Sequence, residues 1–236
     1  INLHNKAERL RKRLGEDTSS PIDVFSSANS IDNLTTVFYP MGERLSGICI
    51  KDINNILIGI NSEMSLGRQR FSMAHELYHA FYDEDYSKSI SLRSIGVGNE
   101  IEKQADQFAS YFLIPPMSLF SEIEKIIKSS KKIDLENIVN LEQFFGVSRS
   151  AILYRLVNDN YLNKKDAENW FSNVIYSAKK FGYDDILYRP LPKEKQYMTY
   201  GSYIRKINQL FDNDLISNGK YEELLLDGFR SDLVYG

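Results

Sequence analysis

Apolar positions along this chain follow two rhythms, and the switch between them marks its organisation. Leu34 to Tyr39, Ser46 to Ile50 and Asn55 to Ile60 are short runs rich in Ile, Val, Thr and Phe, separated by turn residues (Pro40 to Gly42, then Asp52 to Asn55). They predict strands, the last two forming a hairpin. After Asn61 the period lengthens. From Ser65, a candidate cap, apolar residues recur through Phe71, Ala74, Tyr78 and Tyr82, which predicts a helix over 66–82. Before the strands, Ala7, Leu10 and Leu14 share a helical spacing that ends at Gly15. Asp83 to Asn99 is polar and contains glycine, so it reads as a loop. Glu100 to Ile114 is helical again, with Ile101, Ala105, Phe108 and Phe112 on one side, until Pro115–Pro116 stops it. Helices are expected thereafter over 117–129, 134–145, 148–158, 163–181, 200–211 and 218–226, and Asp232 to Tyr235 reads as an edge strand. The expectation is an α+β protein, with a small antiparallel sheet of three or so strands beside two helices and a helical region after them. The shift at Pro115–Pro116 predicts two domains, 1–115 and 116–236.

Composition narrows the function classes. Of 236 residues 42% are hydrophobic and 26% charged, which is ordinary globular usage and excludes disorder. No apolar run reaches the roughly 18–20 residues of a membrane helix. The best window, Ile48 to Ile60, is broken by Lys51, Asp52 and two asparagines. The first fourteen residues are too charged for a signal peptide, and the lone Cys49 excludes an internal disulfide. Both point to a reducing, cytoplasmic setting. A net charge of −3 makes no global case for nucleic acid, and Arg9, Arg11, Lys12 and Arg13 read as a solvated helix face. There are three histidines, His4, His75 and His79, so a three-histidine site would have to recruit His4 from a distance.

His75-Glu76-Leu77-Tyr78-His79 is an H-E-x-x-H motif inside the predicted helix 66–82. Residues i and i+4 of a helix share a face about 6 Å apart, so two imidazoles can close on one metal ion. Glu76 then stands beside the open position, suited to act as a general base. A third ligand is required. Glu102 and Asp106 lie i and i+4 on the next helix, with Ala105 and Ala109 beside them, small enough for close helix packing. Glu102 is therefore assigned as third ligand and Asp106 as acceptor for the outer N–H of a ligand imidazole. Glu100 is the rival on that helix. Asp85 would be the rival if the chain followed the extended metzincin motif, but Tyr82 replaces the glycine of that motif. Tyr78, Tyr82 and Tyr86 are candidates for stabilising an oxyanion.

Arg68-Gln69-Arg70-Phe71-Ser72-Met73-Ala74-His75-Glu76-Leu77-Tyr78-His79, then Glu102 to Ala109, then Leu113-Ile114-Pro115, resembles the signature of the ImmA/IrrE metallopeptidases. The resemblance covers 68–115 closely and the flanking segments more loosely. It implies a zincin-like domain over 1–115 with a gluzincin-like site: one Zn²⁺ per chain, ligands at His75, His79 and Glu102, and Glu76 as base. Tyr78 stands where the family usually has glycine, and Asp106 where it usually has asparagine.

Ile138 to Leu156 reads as a helix-turn-helix, with Gly146 ending the first helix, Ser148 capping the second and Val147, Ile152 and Leu156 filling the angle. Glu142 sits where a small residue usually permits close packing, and acidic residues offset the local basic ones. Packing or protein recognition is thus favoured over direct DNA binding, which stays open. The expected function is a zinc-dependent endopeptidase acting on a protein, with a helix-turn-helix repressor of a mobile element or stress response as the substrate that the resemblance suggests. The competing readings are a non-catalytic regulator that binds DNA or a partner repressor, and a toxin–antitoxin component.

Overall fold

The computed structural model describes residues 2–83, 88–92, 95, 98–130 and 132–236. In chain order the elements are α1 (Leu3–Arg13), α2 (Val24–Asn29), β1 (Leu34–Tyr39), β2 (Leu45–Lys51), β3 (Ile56–Asn61), α3 (Leu66–Tyr82), β4 (Lys88–Leu92), α4 (Glu100–Leu113), α5 (Pro116–Ser130), α6 (Leu135–Phe145), α7 (Arg149–Asn158), α8 (Lys164–Glu168), α9 (Val174–Lys180), β5 (Met198–Gly201), α10 (Ser202–Asp212), α11 (Asn218–Asp227) and α12 (Ser231–Tyr235). The class is α+β, with one sheet in the order β4-β2-β3-β1-β5.

The hairpin of β2 and β3 forms antiparallel as expected, Cys49 opposite Ile58. Three features of the sheet differ from the sequence expectation. β3 inserts between the two strands that precede it and so runs parallel to β1, Thr36 opposite Ile58. β4 forms inside the segment expected to be loop and pairs antiparallel with β2. β5 occupies what reads as the approach to a helix and pairs antiparallel with β1. Strands of five and four residues carry too little alternation to register, and a fifth strand recruited from so far along the chain has no local signal. Elsewhere, 163–181 divides into α8 and α9, with Asn173 in a left-handed conformation between them. Asp232 to Tyr235 belongs to the short helix α12 and not to an edge strand.

Helix α3 lies across β2 and β3, and α4 packs beside α3 with α1 behind it. Ala74, Leu77, Ala105, Phe108, Ala109 and Phe112 are buried where they meet. Burying each of the larger of these side chains stabilises the fold by roughly 1.5–3 kcal/mol. The core continues from Ala7 through Ala167, so the helices after Pro115 share it. Two arginines tie the layers. Arg70 donates to the carbonyls of Gly146 (2.8 Å) and Ile22 (2.6 Å). Arg11, expected on a solvated face, is instead buried, donating to the carbonyls of Phe112 (2.6 Å), Asp17 (2.7 Å) and Ser20. Its neighbours Arg9, Lys12 and Arg13 are exposed.

Candidate metal centre

The middle of α3 presents His75 and His79 to the first turn of α4. Asn99 caps α4 by accepting from the Glu102 amide (3.0 Å), which fixes Glu102 in the first helical turn. The adjacent Gly98 has φ +118°, and a side chain there would come within 2.9 Å of the Glu102 Cβ. Glycine thus admits both the turn and the carboxylate. The two Nε2 atoms are 3.2 Å apart, and each lies 3.3 Å from an oxygen of Glu102. His75 meets Oε2 and His79 meets Oε1, and one ligand atom from each of the three residues lies within 4.8 Å of the others, near enough to share an ion with ligand bonds of about 2.0 Å. Among the described residues His75, His79 and Glu102 are the group able to hold an ion. Glu100, the rival on α4, is exposed. His4 pairs with Glu8 (3.3 Å) instead of joining the group, and Asp85 lies outside the described residues.

Both histidines are oriented from behind. His75 Nδ1 meets Asp106 Oδ1 at 2.9 Å, and His79 Nδ1 meets Asp83 Oδ2 at 2.9 Å. A carboxylate beside each Nδ1 favours a proton there, so that a neutral ring offers Nε2 on the side facing Glu102. Asp83 is a residue that the sequence reading missed: it is i+4 from His79, one step past the predicted helix end. Lys51, at the end of β2, was missed too. Its ammonium donates to the carbonyls of His79 (2.7 Å) and Asp83, closing the C-terminus of α3, where a cation is favoured.

The cluster is strongly acidic, and that shapes its titration. Burial by itself would lower the pKa of His75, but hydrogen bonds to Asp106 and Glu102 outweigh it and raise the value to about 10. For Glu102 burial would raise the pKa, yet the hydrogen bonds to both histidines hold it down at about 2. The surrounding carboxylates thus favour positive charge on the imidazoles.

Glu76 is 0% exposed. Ser89 donates to its Oε2 at 3.3 Å, while Oε1 has no hydrogen-bond partner. Burial pushes its carboxyl up, against the pull of the His75 charge. The carboxylate fits because Gly47 of β2 has no side chain: a Cβ there would be 2.6 Å from Oε1. Leaving a buried acceptor unpaired costs about 1–3 kcal/mol.

The tyrosines are engaged elsewhere. Tyr78 donates to Gln104 (2.7 Å) and Tyr82 to the Lys6 carbonyl (2.8 Å), so both hydroxyls are bonded away from His75, His79 and Glu102. Tyr86 lies outside the described residues. In the helix-turn-helix-like segment, Arg149 is 3% exposed. It pairs with Glu142 and donates to the Trp170 carbonyl and Ser177 hydroxyl, both at 2.8 Å. Tyr188 also donates to Glu142, at 2.6 Å. That explains the unusual glutamate: it neutralises a buried arginine, and the chain after α7 covers the start of that helix. Among the described residues no helix is long and apolar enough to cross a membrane.

The chain matches the peptidase family described as the IrrE N-terminal-like domain over residues 35–157, just over half its length. It is also similar to the radiation response metalloprotease IrrE of Deinococcus deserti, with 33% identity over 81 residues. That stretch is 34% of this chain and 28% of the relative, so the chain spans under a third of that protein's length. The chain belongs to the ImmA/IrrE family, whose members are metallopeptidase-like proteins.

Proposed function

We propose that this member of the ImmA/IrrE family is a zinc-dependent endopeptidase whose substrate is a helix-turn-helix repressor. The observation that carries the reading is the convergence of His75, His79 and Glu102: the two Nε2 atoms are 3.2 Å apart and each lies 3.3 Å from one of the two Glu102 carboxylate oxygens. Beside it stands Glu76, a buried carboxylate with one unpartnered oxygen. The donor set fits one Zn²⁺ per chain, with His75, His79 and Glu102 holding it. When bound, zinc supplies Lewis acidity, polarising a carbonyl oxygen and bringing the pKa of a water towards neutrality. Glu76 Oε1 accepts the proton of the attacking water, and the same carboxyl returns it to the leaving amine. Asp106 and Asp83 keep the imidazoles in the tautomer that offers Nε2. A purely structural site has no need of Glu76.

The burial of Ser148 and Arg149 speaks against α7 reading DNA by its leading turn, which favours proteolysis over repression by contact. The test is metal analysis followed by cleavage. The purified chain is expected to hold about one zinc. Glu102→Ala empties the site while Glu100→Ala leaves it full, and a repressor encoded beside the gene is cut at one bond. A chain that takes up no zinc on reconstitution refutes the site.

A further inference from the structure

Glu76 faces the sheet, and β4 meets it there with two serines. β4 is an edge strand paired antiparallel with β2, Ser89 opposite Cys49 and Ser91 opposite Gly47. Side chains alternate along a strand, so Ser89 and Ser91 share the buried face while Ile90 between them is exposed. Ser89 donates to Glu76 Oε2 at 3.3 Å. Gly47, the partner of Ser91, is the residue whose added Cβ would stand 2.6 Å from the other oxygen, Oε1. Opposed residues of an antiparallel pair project to the same face with Cβ positions about 4.5–5.5 Å apart. That sets Ser91 on the Oε1 side of the carboxyl. Ser46 donates to the Ser91 carbonyl (3.3 Å), which ties the backbone of β4 at this residue to β2. The Ser91 hydroxyl also helps to draw the Glu76 carboxyl down against its burial, so the two groups are within electrostatic reach.

Ser91 is 1% exposed, and its Oγ and Glu76 Oε1 are both buried without a hydrogen-bond partner. One is a donor and the other an acceptor. Buried polar groups left unpaired are rare in a folded protein, and each calls for an explanation. Two that face each other across one carboxyl explain each other. A side chain that only filled this space would do so at lower cost as alanine, with no hydroxyl to desolvate. A hydroxyl has a property that fits a proton carrier: it donates to a carboxylate and accepts from a carboxylic acid. It therefore serves Oε1 both before and after a proton is taken.

We propose that Ser91 is a positioning residue for Glu76: its hydroxyl bonds Oε1 while Ser89 bonds Oε2, and the two serines of β4 aim the carboxylate at the attacking water. This rests on the peptidase reading above and gives β4 a part in the working of the base. Ser89 alone leaves the carboxyl free to turn about its last bond. With both oxygens held, Oε1 spends one lone pair on Ser91 and keeps the second for the proton of water. Ser91 acts through Glu76 and touches neither the metal ligands nor the scissile bond.

Ser91→Ala removes the hydroxyl, Ser91→Thr keeps it, and Ser91→Val controls for the methyl that threonine adds. All are made in the full chain and loaded with zinc. The probe is one quenched fluorescent heptapeptide, the best cleaved by the wild-type chain from a random library. Ser91→Ala and Ser91→Val are expected to lose about 10- to 100-fold in kcat, the worth of a hydrogen bond to a charged group. KM, zinc content and melting temperature are expected to hold, because the hydroxyl removed had no partner to stabilise the fold. Ser91→Thr restores most of the kcat. Wild-type kcat in Ser91→Ala overturns the proposal, as does a loss that threonine does not rescue or that comes with a lower melt. A second readout needs no substrate. Infrared difference spectra against Glu76→Gln isolate the Glu76 carboxylate stretch, which Ser91→Ala should shift and Ser91→Thr return. Should threonine or valine disturb the fold, Ser91→Ala and this band decide, and a band indifferent to Ser91 overturns the proposal. Cleavage that ignores Ser91 refutes its role and leaves the peptidase. A shifted band in a chain that cleaves no peptide refutes the peptidase and leaves Ser91 as the residue that holds Glu76.

Discussion

Replacing Gly47 with alanine tests whether the position of Glu76 matters for turnover. The added methyl would lie 2.6 Å from Glu76 Oε1, about 0.8 Å short of ordinary contact at 3.4 Å, and 3.1 Å from both Glu76 Cγ and the Gly59 carbonyl oxygen. The backbone at Gly47 has an ordinary φ, so alanine adds crowding and no backbone strain. The sheet on one side and α3 on the other leave the carboxylate as the part that yields. A reacting group displaced by about 1 Å costs on the order of 10²-fold in rate. The overpacking itself costs roughly 1–3 kcal/mol of stability. Gly47→Ala is therefore expected to keep one zinc per chain and a cooperative melt at a somewhat lower temperature, while kcat on a protein substrate drops about 100-fold. Wild-type turnover, with the melt lowered as expected, would refute the placement of Glu76 as the working base. Loss of zinc would mean that the clash is relieved through His75 or His79.

Other expectations follow from the groups behind the ligands. Asp83→Ala removes the acceptor on His79 Nδ1. It should weaken zinc affinity about 10–100-fold, read by competition with a chelating dye, and unchanged affinity would strip Asp83 of its orienting role. His75 is raised from its ordinary 6.5 to about 10 in the metal-free site. Its protonated form therefore stabilises the metal-free fold fully below pH 6.5, and that contribution is lost as pH climbs towards 10. Zinc needs the deprotonated ring, so the gap between melting temperatures with zinc and with chelator should widen from pH 6.5 upwards. Parallel curves would contradict this. Lys51→Met, which uncaps α3 at His79 and Asp83, should lower the melting temperature and the zinc affinity together. A drop in stability alone would confine Lys51 to the fold.

The site was legible in the sequence to the extent that helical spacing is local. His75 and His79 are set by i and i+4 on α3, and Glu102 and Asp106 by the same spacing on α4. Which carboxylates face which imidazoles depends on how two helices pack, and there the alanines at 105 and 109 carried the information. Asp83 escaped because its role appears only when α3 runs its full length and Lys51 closes its end. The sheet was half legible. Alternation identifies β1 to β3 but does not say that β3 lies between β1 and β2, and β5 joins through long-range pairing. Glu142 was visible as an anomaly in the helix-turn-helix pattern. Its cause, buried Arg149, sits seven residues on and is covered by Trp170 and Ser177, which no motif connects to it.

The most direct measurement of the central claim compares the zinc-loaded chain with zinc-loaded Glu76→Gln in a host-cell extract. New protein N-termini are labelled and identified by mass spectrometry. The amide cannot accept the proton of water, and a general base is worth on the order of 10² to 10⁴ in rate. The account predicts that new N-termini arise in one or a few proteins, a helix-turn-helix repressor among them, only with the active chain, at equal zinc content in both. The same N-termini with both proteins, or none with either, would contradict it.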